Sequence, residues 1–438
     1  MKKILFTTLI LTLSYNMVYA LDTAIDIHGF VTQGFLKSTE NPFIKDTKDG
    51  TFQFNEMGLN FSNQITDDLH MGIQLFAYDF GDAGNDKISI NYGMASYYFR
   101  QWLILDVGIS KVKSGFYGDT RDLEMIRPNI LLPMGVYPEV YRDSLDSAKG
   151  IELKGSYRPD LIDLGVISYC FQYGIIDISQ DTGIGKGFSH EFHINAGYSS
   201  ADKAPNLVLC WETPIPGLRL QGQYAFLGYN LGGTTHDDAF WASQKTKVLE
   251  DIEDQALKDY LKENLIVGNV PVDIDGDFEI ITCGMEYTRQ NLVVTLERSV
   301  SLQDFDITLY PGLKNAMPPN PETEPWKNTV LGYYYMLSYR ISDWLQLGGY
   351  YTVFYPDTDD KRGNHINAEK GLPRSFAWEK DSCLSVRFDF NRNSCLKLEG
   401  HYIDGTSQIN FMNDQDEAGY DDINRYWYLF AAKFSFNF

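Results

Sequence analysis

The strongest constraint on this chain is a repeated period of two. Sixteen segments of strand length alternate apolar with polar side chains: 25 to 37, 50 to 65, 69 to 79, 87 to 100, 103 to 111, 148 to 157, 163 to 173, 204 to 212, 218 to 229, 278 to 288, 291 to 300, 328 to 340, 344 to 355, 380 to 391, 395 to 404 and 426 to 438. Successive residues of an extended strand point to opposite faces, so each segment carries one apolar and one polar row. Leu218, Leu220, Tyr224 and Phe226 alternate with Arg219, Gln221 and Gln223. Leu384, Val386, Phe388 and Phe390 alternate with Ser385, Arg387 and Asp389, and Leu396, Leu398 and Tyr402 with Lys397, Glu399 and His401.

The links between the segments alternate too. Short ones, such as Thr66-Asp67-Asp68, Gln101-Trp102, Arg289-Gln290 and Ile341-Ser342-Asp343, separate the longer 38 to 49, 80 to 86, 112 to 147, 174 to 203, 230 to 277, 301 to 327, 356 to 379 and 405 to 425. A soluble sandwich has no such rule, whereas a membrane-spanning barrel joins its strands by short turns at one end and long loops at the other. The expected fold is therefore an all-β, transmembrane antiparallel barrel of sixteen strands in one domain, 21 to 438. Residues 188 to 199 also alternate and are placed inside the fourth long link; counted as a strand, they would push the barrel towards eighteen.

A charge at the lipid midplane costs about 2 to 4 kcal/mol, so the ionisable row must face the interior. That makes Lys154, Arg219, Arg387, Asp389, Lys397, Glu399, His401 and Lys433 candidates for the wall of an aqueous bore, and His28 a further water-facing side chain. The 29 Tyr and 27 Phe suit interfacial aromatic girdles, and a negative mean hydropathy suits a polar interior. The formal charge of −22 argues against a nucleic-acid partner.

Lys2 and Lys3 before the apolar stretch Ile4 to Val18, ending on Val18-Tyr19-Ala20, read as a secretory signal peptide, 1 to 20. Without those two lysines the charge is two units more negative. Beyond it no apolar run reaches the length of a spanning helix. Cys170, Cys210, Cys283, Cys383 and Cys395 are scattered and odd in number, which argues against a disulfide framework. No metal-ligand, nucleophile-elbow or phosphate-cradling pattern occurs, so no cofactor, metal or catalytic group is expected and the chain reads as a non-enzyme.

The last segment sets Tyr428, Phe430, Ala432, Phe434, Phe436 and the terminal Phe438 against Lys433, Ser435 and Asn437. The third long link, 112 to 147, mixes Arg121, Arg127 and Arg142 with Asp119, Asp122, Glu124, Glu139, Asp143 and Asp146. Its stretch GFYGDTRDLEMIRPNILLP, with WETPIPGLRL at 211 to 220, resembles the porin-like outer-membrane proteins of proteobacteria. The resemblance implies a bacterial outer-membrane location in contact with lipid and lipopolysaccharide. It also implies a homotrimer, and Phe434, Phe436 and Phe438 as the signal read by the barrel-insertion machinery. It further implies that 112 to 147 folds into the channel as a constriction built by Asp119, Arg121, Asp122, Glu124, Arg127, Glu139, Arg142 and Asp143. The PEFGG motif of enteric porins is absent, Pro138-Glu139-Val140-Tyr141 being loosely comparable. Arg121 and Arg127 have a second reading, in which they pair with Asp122 or Glu124 and pin the loop to the wall.

The function so implied is passive diffusion of small hydrophilic solutes and ions. A solute-specific channel, a barrel enzyme or a surface-binding barrel are the alternatives. In 230 to 277, Val248, Ile252, Ala256, Leu257, Tyr260 and Leu261 fall near helical spacing and predict a surface helix. The acid clusters Asp273, Asp275, Asp277 and Asp414, Asp416, Glu417, Asp421, Asp422 lack EF-hand spacing and read as solvated loops or loose divalent-cation bridges to lipopolysaccharide.

Overall fold

The computed structural model describes residues 25–43, 47–81, 84–159, 164–179, 182–314, 320–409 and 423–438; the expected leader and the acid cluster from Asp414 to Asp422 lie outside them. Sixteen antiparallel strands close on themselves: β1 (Asp26–Ser38), β2 (Phe54–Thr66), β3 (Leu69–Phe80), β4 (Ser89–Arg100), β5 (Leu103–Lys111), β6 (Ser147–Tyr157), β7 (Val166–Ser179), β8 (Ile194–Lys203 with Asn206–Glu212), β9 (Leu218–Thr235), β10 (Pro271–Arg289), β11 (Leu292–Leu309), β12 (Glu322–Ser342), β13 (Leu345–Tyr355), β14 (Glu379–Asn391), β15 (Ser394–Gly405) and β16 (Tyr426–Asn437). β1 pairs with both β2 and β16, which leaves no free edge. Among the described residues, no helix is long and apolar enough to cross a membrane.

β8 corrects the expectation for 188 to 199. Residues 183 to 192 form a helix, whereas Ile194–Lys203 is the upper half of β8, in line with Asn206–Glu212 and paired to the same neighbours, β7 and β9. The two halves part at Ala204-Pro205, where proline has no N–H to give the ladder, and the register to β9 slips above that point. One interrupted strand thus replaces the loop segment, and the count stays at sixteen.

β9 to β12 outrun their expected ends, reaching Thr235, starting at Pro271, reaching Leu309 and starting at Glu322. The extensions carry polar side chains on their outer row: Asp273, Asp275 and Asp277 of β10 stand beside Asp304 and Asp306 of β11. A strand that rises past the hydrocarbon has no lipid to sort its faces, so alternation fades before the ladder ends.

The outward rows are apolar and exposed, as with Leu384, Phe390, Tyr428, Phe430, Phe434 and Phe436. Arg298 is an exception, an exposed side chain on the outward row of β11 between Cys283 and Tyr333. The long link after β9 holds two helices, Ala239–Glu250 and Gln255–Asn264, each capped by an aspartate: Asp238 accepts from the Trp241 N–H and Asp254 from those of Ala256 and Leu257. All five cysteines are free thiols.

Candidate functional site

The segment between β5 and β6, hereafter loop 3, enters the bore because its own sequence is amphipathic. Ile130, Leu131, Leu132, Met134 and Tyr137 are all at most 2% exposed. Ile130, Leu131 and Met134 pack with Leu36, Phe54, Phe80, Ile403 and Trp427, while Leu132 and Tyr137 pack with Tyr334, Met336 and Tyr350. Each buried side chain of this size contributes roughly 1.5 to 3 kcal/mol, whereas a buried ion pair comes close to break-even after desolvation. The apolar anchors therefore hold the loop down, and the polar contacts set its position.

Those contacts run along several walls. At the loop's start, the Gly115 N–H donates to Gln223 Oε1 at 3.0 Å, the Phe116 N–H to Glu297 Oε1 at 2.8 Å, and the Lys113 carbonyl accepts from Asn206 and Gln223. Further on, Lys397 Nζ meets Glu124 at 2.7 Å, Lys433 Nζ meets Glu124 at 3.1 Å and Glu56 at 2.7 Å, and Arg127 meets Glu124 at 2.7 Å. Arg387 donates to the carbonyls of Met125 and Arg127, and Glu399 accepts from Asn129 and from the Ile130 and Leu131 N–H groups. On the return, Arg121 pairs with Glu139 at 2.9 Å, and Arg142 pairs with Glu56. Asp122 is held by Lys111 and by Gln74 at 2.7 Å.

These pairings fix the charge states of the loop. Burial opposes ionisation of Glu124, but Arg127, Lys397 and Lys433 outweigh it and keep the carboxyl well below the usual range. Burial likewise opposes Glu139 and Asp122, and Arg121 with Arg142, and Lys111, draw them below their ordinary values. Asp143 and Asp146 are raised instead, burial being the larger influence on both.

The residues singled out from sequence thus divide. Arg121, Asp122, Glu124, Arg127, Glu139 and Arg142 are all buried, Arg121 against Glu139, Arg127 against Glu124, Arg142 against Glu56 and Glu139, and Asp122 against Lys111. Asp143 accepts the Gly183 N–H at the foot of the next loop. Asp119 stays 31% exposed beside Lys113, 33% exposed. Arg387, Lys397, Glu399, His401 and Lys433 do face inward, but loop 3 covers them and each is almost fully buried. His401 lies against Asp381 at 2.9 Å. Water-facing charge survives on the other arc: Lys154 is 28% exposed beside buried Asp106 and Glu152, and Arg219 is 38% exposed beside Glu286. Arg340, which the sequence reading missed, is 37% exposed beside Asp389. Its strand alternation was legible, since it stands two residues beyond inward Ser338.

No family model matches the chain, and no curated protein does. Solved structures do. The outer membrane channel DcaP of Acinetobacter baumannii superposes with TM-score 0.51 at 11% identity, over 94% of this chain and 97% of that one. OmpF of Salmonella typhi, in complex with daunomycin, gives 0.51 at 14% over 95% and 98%, and the outer membrane protein OmpT of Vibrio cholerae 0.50 at 11% over 95% and 98%. At these identities the likeness is one of fold. With sixteen closed strands, lipid-facing aromatics and a loop seated in the bore, the chain is a bacterial outer-membrane β-barrel of porin-like fold.

Proposed function

We propose that the protein is a passive channel for small hydrophilic solutes and ions, threading the space that loop 3 leaves against the β4–β9 arc. The observation that carries this reading is the exposure of Lys113, Asp119, Lys154 and Arg219, charged groups on the loop or on inward rows that retain between 28% and 38% of their accessible surface. A charged side chain inside a barrel keeps such exposure where water reaches it from within. In each of the wall pairs the cation is more exposed than its acid, Lys154 over Asp106 and Arg219 over Glu286, so solutes at the wall meet mainly positive charge. Assembly as a homotrimer, the role of Phe434, Phe436 and Phe438 in insertion, and contact with lipopolysaccharide belong to the same proposal.

Planar-bilayer recording is the test. Discrete conductance steps that do not saturate with solute concentration are expected; folded protein that yields no steps would remove the channel, and saturable block by one solute would assign a solute-specific channel. Chemical cross-linking in detergent should stop at the trimer.

A further inference from the structure

At the loop end of the barrel, three side chains that neither the bore nor loop 3 uses come together. His193 follows the helix Gly183–Phe192 in the left-handed region, φ 51°, where few residues other than glycine settle. His236 stands just past β9, and Asp238 caps the next helix. Asp238 Oδ2 lies 2.7 Å from His193 Nδ1 and 3.6 Å from His236 Nδ1. The three ligand atoms fall within 4.8 Å of one another, on side chains between 29% and 39% exposed.

We propose that His193, His236 and Asp238 bind a borderline transition-metal ion of the Zn²⁺ class and so clamp the loop after β7 to the loop after β9. Two imidazoles with one carboxylate suit zinc, copper or nickel, whereas calcium and magnesium take oxygen sets. Tetrahedral bonds of about 2.0 to 2.1 Å place ligand atoms roughly 3.3 Å apart, a value that the two observed separations straddle. The remaining ring nitrogen of His236, Nε2, is 3.4 Å from Ser189 Oγ, the partner that a metal-bound imidazole needs to hold its tautomer. The His193 ring is stacked on Phe240, with centroids 4.3 Å apart and planes 5° from parallel. The backbone is set beforehand: the His193 carbonyl accepts both the His236 N–H and Trp241 Nε1, each at 2.8 Å. Three protein ligands on a half-exposed surface leave the fourth position to solvent.

The test uses the full chain in detergent, without an affinity tag. Titration with Co²⁺ should produce the visible absorption of a four-coordinate ion at one equivalent, reversed by Zn²⁺ and untouched by Ca²⁺. His193→Asn and His236→Asn should each weaken Zn²⁺ binding by at least about tenfold, the loss that disturbing even a metal site's outer partners brings. Asp238→Asn keeps the helix cap and should weaken binding as well, with the far-ultraviolet strand signal unchanged. No Co²⁺ band at millimolar metal, or equal affinity in the three variants, would overturn the site. So would hydrolysis of a p-nitrophenyl ester that Ser189→Ala abolishes and Zn²⁺ leaves alone, since Ser189, His236 and Asp238 would then form a nucleophilic set.

Discussion

At the scale of single residues, Glu124 is the group on which loop 3 turns. It is 1% exposed and faces Arg127, Lys397 and Lys433 at once. Glu124→Gln leaves Arg127 and Lys397 buried without their anion and Lys433 with Glu56 alone, and removing one partner of a buried ion pair costs about 3 to 5 kcal/mol. The variant is expected to unfold at lower denaturant and to show larger, noisier conductance than the parent in the same bilayer. Acid acts on the same contacts, and its sign follows from the shifts. Glu124, Glu139 and Asp122 are depressed, so their contribution is complete above about pH 4 and is lost as pH falls through their lowered values. Asp143 and Asp146 are raised, and protonating them first relieves their burial. Conductance should therefore hold steady from neutral pH to about 5 and climb below about 4. On the outer face, Arg298 has no acidic partner among the described residues. Arg298→Leu should raise the unfolding free energy in bilayers by up to about 2 to 4 kcal/mol, according to its depth.

Among the elements, loop 3 and the wall behind it fit backbone to backbone. A Cβ placed on Gly332 of β12 would lie 1.5 Å from the Gly135 carbonyl, and one on Gly135 would lie 2.6 Å from the Val353 carbonyl. Glycine is required there by close approach. Gly332→Val should push the tip of loop 3 off the wall while the strands stay paired, which limited proteolysis near Gly135 and a higher conductance would reveal; unchanged values of both would contradict the seating described. The bounds of β5, β13 and β16 could be read to within a residue or so, because lipid on one side and water or loop on the other sort every side chain. The tops of β9 to β12 could not, since both faces there meet polar surroundings, and the two halves of β8 were joined by pairing that local alternation does not encode.

For the whole molecule, closure decides stability. Phe438 seals the seam with β1 through two backbone bonds, its N–H to the Gly29 carbonyl at 3.0 Å and its carbonyl from the Gly29 N–H at 3.1 Å. Deleting Phe438 removes both and one lipid-facing ring, and should lower the amount of heat-resistant barrel recovered from outer membranes; equal recovery would count against the terminal strand as a closing element. The faces of the strands and the turn-and-loop rhythm were determined by the sequence alone, because the membrane imposes one rule on every crossing segment and that rule is written in neighbouring residues; the choice between sixteen strands and eighteen fell to the pairing of Ile194–Lys203 with β7 and β9. Tertiary structure alone decided which inward charges meet water. Lys397 and Lys154 read alike along the chain, yet one is sealed beneath loop 3 and the other is open, since that difference depends on where loop 3, distant in sequence from Lys397 and close to Lys154, comes to rest in the bore.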